Sequence, residues 1–204
     1  MLRTTSRPEA TAARARRRPA STARSTAGST DPARPFAHPG RAAAPRILDA
    51  VTPGRTRELR IALPPGANVG AALHALLDGW PPYAGCGRLV GGAFSQVQYH
   101  VMVHAAQGVK PYVYGPPIVC AGESTLIGAA INVGHRADGS RILHAHGGFV
   151  DEHGLQHGGH LALEQTIAAG DGVRVHLCLF DGVDLVVSPD AETTFDLLQP
   201  ARNA

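Results

Sequence analysis

At 204 residues and a formal net charge of +3, the chain has room for one domain with a sizeable core and a tail, and too little for several domains. That charge hides a division: residues 1–60 carry 13 arginines against 4 acidic residues (net +9), whereas residues 61–204 carry 6 basic residues against 12 acidic ones (net −6). An acidic domain is a poor grip for a phosphate backbone. No run approaches the roughly eighteen apolar residues of a membrane-spanning helix, and three dispersed cysteines without Cys-x-x-Cys spacing make no disulfide framework.

Residues 1–46 are rich in Arg, Ala, Pro, Ser and Thr. They hold too little apolar material to offset the entropy of ordering, so the expectation is a disordered basic tail. The tail has no apolar stretch of the kind a secretory signal needs. Its composition is shared by organellar transit peptides and by GC-rich bacterial genomes; one lysine among nineteen basic residues favours the second and places the protein in a bacterial cytoplasm. Its arginines are suited to non-specific contact with DNA phosphates.

The domain is expected over residues 47–204. Arg57 to Leu63 alternates as a strand, and Pro64-Pro65-Gly66 ends it. Val69, Leu73, Leu76, Leu77 and Trp80 recur at helical spacing, with Asn68 as N-cap and Gly79 near the end. Strands are expected at 88–103, 110–120, 124–133, 141–150, 156–164, 172–180 and 183–188, punctuated by Gly-Pro, Asp-Gly and Gly-Asp pairs. Short connections predict an α+β fold: a largely antiparallel, curled or barrel-like sheet with one main helix packed on it. Cys86, Cys120 and Cys178 read as small buried hydrophobes in a reducing compartment.

Along these elements, Tyr99-His100 and His104 lie four apart on one expected strand, a weak second metal pair set against half-buried strand residues. Glu123, at an expected turn beside Gly122, is a candidate general acid/base. Arg88 and Arg141 are candidates for holding an anionic substrate, with surface ion pairing as the plainer reading.

The most informative stretch runs from His144-Ala-His146 through Asp151-Glu-His153-Gly154 to His157-Gly-Gly-His160. In a strand, residues i and i+2 project from one face, so His144 and His146 point together. A four-residue loop over 151–154 would put Ala145 opposite His160 and turn that imidazole to the wrong face. A five-residue loop through Leu155, or a bulge at Gly158-Gly159, brings His160 opposite His146. Three converging imidazoles are a ligand set for a divalent metal, zinc foremost, with a fourth position for water or substrate. His153 and His157 are expected to meet solvent.

His144-Ala-His146, the acidic-Gly turn and Gly158-Gly-His160-Leu161 resemble the signature of the PPC domain (plant and prokaryote conserved, also called DUF296). The resemblance extends upstream to Leu59-Arg-Ile-Ala-Leu-Pro-Pro-Gly66 and Gly85-Cys-Gly-Arg-Leu-Val-Gly-Gly92. It implies an α+β unit, commonly a homotrimer, some members holding a metal through these histidines, and a more distant similarity to acetolactate decarboxylase. The chain departs from the plant proteins in two places. Arg16-Arg17-Arg18-Pro19 lacks the glycine of an AT-hook, and Tyr114-Gly-Pro-Pro-Ile-Val119 stands where those proteins carry Gly-Arg-Phe-Glu-Ile-Leu. Three readings follow: a metal-binding PPC protein, a DNA-associated protein using its arginine tail and an oligomeric domain, or a metal-dependent lyase or hydrolase acting on a small keto or carboxylic acid.

Overall fold

The computed structural model describes residues 38–42, 53–81 and 83–202. The expected disordered tail falls almost wholly outside these residues. Strand β1 (Thr56–Leu63) turns Leu59, Ile61 and Leu63 towards the core. The chain then turns at Gly66, whose φ of +81° suits a residue without a side chain. Asn68 caps helix α1 (Val69–Asp78), its Oδ1 accepting from the Ala71 amide at 2.9 Å. The helix buries Val69, Gly70, Leu73 and Leu77. Gly70 is required by proximity: a Cβ there would lie 2.6 Å from the Glu164 amide nitrogen, in the 3₁₀ turn Leu163–Gln165 that α1 packs against.

The sheet is built on two long strands, β2 (Ala84–His100) and β5 (Ile118–His135). Along one edge β2 pairs first with β8 (Ile167–Phe180) and then, at Tyr99 and His100, with β7 (Gln156–Leu161). Its other edge pairs with β5; β5 continues to β6 (Arg141–Val150), and β6 to β7. The path β2–β5–β6–β7 therefore closes on β2, which gives the sheet its curl. Strand β1 lies outside β8, while β9 (Val183–Pro189) joins β5 in parallel at one pair, with β10 (Asp196–Arg202) beyond it. A short ribbon of β3 (Met102–His104) and β4 (Tyr112–Tyr114) stands apart.

The architecture is sheet-dominated, and among the described residues the α part of the expected α+β class is α1 and one 3₁₀ turn. Three local expectations are corrected. The break expected near residues 121–123 is internal to β5, where Gly122 (φ +102°) admits the Glu152 carboxylate against its backbone. The strand expected over 88–103 ends at His100, so His104 belongs to the separate ribbon. The cysteines are not buried: Cys86 is exposed, and Cys120 and Cys178 are partly so.

Because side chains alternate, the sheet has two unlike faces. The inner face carries Leu89, Ile131, Ala145, Phe149, Leu161 and Leu177, packed with Leu73 and Leu77 of α1. Each fully buried large side chain there contributes about 1.5–3 kcal/mol. The outer face presents one continuous row across six strands: Arg60, His176, Arg88, Ala130, His146, His160 and His100, each directly opposite the next. Among the described residues, no helix is long and apolar enough to cross a membrane.

Candidate metal centre

The site begins with Asp151. Its Oδ1 accepts from the amides of His153 and Leu155, at 2.9 and 2.8 Å, and its own amide donates to the Leu155 carbonyl. These bonds close a five-residue loop over 151–155, with Gly154 at φ +78°. Val150 is therefore opposite Gln156, and four pairs further on His146 is opposite His160. Loop length sets the register. The diglycine does not: Gly147–Gly159 and Gly148–Gly158 pair without any shift. Gly159 (φ +154°) serves a close approach instead, since a Cβ there would lie 2.3 Å from the His100 carbonyl oxygen. That approach lets the end of β2 dock and sets His100 beside His160, their ring centroids 6.3 Å apart.

His144, His146 and His160 each offer a ring nitrogen within 4.8 Å of the other two. The His160 Nδ1 to His146 Nε2 separation is 3.4 Å. Two nitrogens bound tetrahedrally to a zinc-like ion would lie about 3.3 Å apart, so the arrangement fits such an ion with small side-chain movement. Electrostatics fit as well. Burial, and then the neighbouring His144, His146 and His100, push the His160 pKa down to about 4. Burial also lowers His144, assisted by His146, and lowers His146. All three are neutral near pH 7, the form in which imidazole donates a lone pair.

Two cavities open at this cluster. One, of about 470 Å³, is lined by His144, His160, Tyr114, Asn132 and Asp196, with Ile142, Val187, Leu197 and Leu198 supplying its apolar wall. The other, about 390 Å³ and shallower, runs from His146 over Ala130 and Gly128 to Arg88 and Val90. Tyr114 packs its ring 4.9 Å from that of His160, and burial raises its phenol pKa.

The other candidate residues fare differently. Arg88 lies on the outer face, in the cavity beside His146. Arg141 is on the opposite face, ion-paired to Asp78 at the end of α1, so it is not a substrate group for this cluster. Glu123 is exposed on β5, seven residues from Ala130, the neighbour of His146. At about 3.3 Å per residue it is roughly 20 Å away, beyond the reach of a general acid/base. The His104 ring lies tilted against Tyr112, centroids 4.5 Å apart, and His100 hydrogen-bonds the Gly115 carbonyl, so they form no metal pair. His153 is exposed beside Glu152, but His157 is not a solvent residue. Its Nδ1 meets the Tyr99 hydroxyl at 3.0 Å, its Nε2 meets Asp151 Oδ2 at 2.9 Å, and its ring stacks on Phe149.

Tyr114, Asn132, Asp196, Leu197 and Leu198 were not legible as site residues. Asn132 had a usable signal, as an isolated polar residue in an apolar strand; β10 had none.

No family model matches the sequence, and no curated protein matches it. Solved structures do match. A plant- and prokaryote-conserved (PPC) protein from Pyrococcus horikoshii is 19 % identical with a TM-score of 0.54, covering 77 % of this chain and 100 % of that one. A metal-containing protein from Archaeoglobus fulgidus is 17 % identical with a TM-score of 0.53, covering 71 % and 92 %. A proposed DNA-binding protein from Ralstonia eutropha is 18 % identical with a TM-score of 0.51, covering 71 % and 90 %. At this identity the likeness establishes the fold: the chain folds as the PPC proteins do.

Proposed function

We propose that this is a metal-binding protein of the PPC class, in which His144, His146 and His160 hold one divalent ion, zinc foremost. The carrying observation is the convergence of three neutral imidazole nitrogens within 4.8 Å on the open face of a rigid sheet. The metal content of the Archaeoglobus protein of the same fold supports the reading. When bound, such an ion would polarise an oxygen ligand at its open position. The chain's own part is to hold the imidazoles through the Asp151 loop and to leave the fourth side open towards both cavities. Elemental analysis of the full chain, purified without added metal, tests this. About one equivalent of a transition metal is expected for the native protein and none for His146→Ala; equal content in both would sink the assignment.

Oligomerisation belongs to the same reading. Met102, Val103, Val113 and Tyr114 on the β3–β4 ribbon, and Ile118 and Val119 at the start of β5, are apolar and exposed. A patch of this kind favours a homotrimer of the PPC type. Light scattering at micromolar concentration should give three times the chain mass, and a clean monomer would remove the idea.

A DNA-associated role is the second reading. It is favoured by the arginine-rich first 46 residues and by the Ralstonia protein of the same fold. Changing Arg16, Arg17 and Arg18 together to alanine should lower DNA affinity. The slope of log affinity against log salt should become shallower by about 0.9 for each phosphate that is no longer neutralised. Unchanged affinity and slope would refute tail-driven binding.

A further inference from the structure

The two cavities at the histidine cluster are both partly apolar but differ in charge, Arg88 standing in one and Asp196 in the other, and that asymmetry describes a ligand. Arg88 is exposed in the cavity it shares with His146 and has no carboxylate partner among the described residues. Arg60 lies on the same face, with His176 between the two arginines. Arg174 lies over Gly91, its guanidinium 3.0 Å from where a Cβ would stand. A guanidinium without a carboxylate partner attracts an anion, and its two parallel N–H groups suit a carboxylate. In the other cavity Asp196 is the one charged wall among the described residues, and the rest of its far side is Ile142, Val187, Leu197 and Leu198. That side suits an alkyl or aryl group.

Across the sheet, Arg88 and His146 are separated by one intervening strand position, Ala130. Their backbones are thus about 10 Å apart, a gap that an extended arginine and a short carboxylate can bridge. His144 and His160, on the other flank of the cluster, line the apolar cavity. A ligand lying across the cluster therefore meets a cation, then the three imidazoles, then an apolar wall with an acidic rim.

From this we infer that the outer face binds a small monocarboxylic acid with an apolar tail, Arg88 receiving the carboxylate and the cleft between β6 and the β9–β10 hairpin receiving the tail. The inference rests on the metal reading, since the ion would occupy the middle of the ligand's path. It narrows that reading to a substrate or ligand class, and it assigns roles to Arg88 and Leu197 that do not involve holding the metal.

The test uses the full chain loaded with cobalt(II), whose visible absorption reports ligands near the ion without requiring any turnover. Acetate, butanoate, hexanoate, hexanol and hexylamine serve as probes. Hexanoate has four methylenes more than acetate, each worth about three- to fourfold when fully buried. In a cleft open to solvent, at least tenfold tighter binding is expected overall. Arg88→Gln should weaken every carboxylate about tenfold and leave hexanol unchanged, whereas Leu197→Ala should flatten the dependence on chain length. Both positions are exposed, so both variants should fold as the parent does. If cobalt binds but the acids are indistinguishable, or hexylamine matches hexanoate, or Arg88→Gln has no effect, the ligand assignment is overturned and the metal reading stands. If the native chain gives no cobalt absorption, the metal reading itself falls and takes this inference with it.

Discussion

The inner and outer faces of the β6–β7 hairpin are made by the same sixteen or so residues, yet they are held by different physics. Inward, Phe149 and Leu161 are fully buried, and Ala145 is sealed beneath them. Outward, His144, His146 and His160 stand in half-open surroundings, where burial costs their charged forms without adding much packing. Stability therefore resides on one side and chemistry on the other, joined only through strand register. A substitution confined to one face should leave the other's property nearly intact, while a change of register should damage both.

The largest effect should come from the loop. Deleting Leu155 leaves four residues between Val150 and Gln156, so β7 must slip by one or distort. A slip turns Leu161 outward and His160 inward. Metal stoichiometry should fall to zero, and urea denaturation should show a stability loss exceeding that of any single truncation on either face. Retention of both would mean that something other than loop length sets the register.

Next come truncations that separate the faces. Phe149→Ala removes a ring packed against Tyr99 and His157, and about 3–5 kcal/mol of stability should be lost. The folded fraction should still bind one metal equivalent. His160→Ala should do the reverse, lowering metal affinity by about 100-fold or more with little change in the denaturation midpoint of the metal-free protein. Crossed results, with metal lost in the first and stability in the second, would break the two-face description.

A smaller effect links the faces at the loop. Asp151 accepts hydrogen bonds from His157 and from the Leu155 and His153 amides, and these hold its carboxyl below the usual carboxylate range, the His157 bond most of all. A depressed carboxylate contributes stability above the unfolded value near 3.8, and that contribution is lost as pH falls through the folded value. Asp151→Asn should lower stability at neutral pH, because the loop amides and His157 lose their charged acceptor, and remove that acid-side loss. Identical denaturation of the two proteins at pH 7 would show that the loop closes without the carboxylate.

The smallest effect expected, because His160 is only half-buried and solvent screens it, is the pH dependence of the metal-free outer face. His160 titrates near 4 in the folded chain and near 6.5 when unfolded. Between those values the unfolded chain binds the extra proton, so stability declines as pH falls from about 6.5 to about 4 and levels off below. His160→Asn should have a shallower decline over that window. Metal binding should likewise persist below pH 6.5, because protons compete for His160 only near its lowered value.

What the residues alone determined is local. Asn68, the apolar spacing through Trp80 and Gly79 specify α1, because capping and helical period act within a few residues. His144 and His146 share a face because strand alternation is geometric, and Asp151 with Gly154 announces a loop. The length of that loop was open between four and five residues, since it depends on bonds from Asp151 to Leu155 that compete with extending the strands. Gly158-Gly159 could be read as a bulge because an adjacent-glycine signal does not distinguish a register shift from a close approach. Only the docking of β2 against Gly159 does so. Tertiary structure also decided everything that relates distant segments: the closure of β7 on β2, the pairing of Arg141 with Asp78, the distance that retires Glu123, and the β9–β10 wall beside the histidines. Those relations follow from long-range pairing, whose energy is spread over whole strands and is carried by no short pattern of residues.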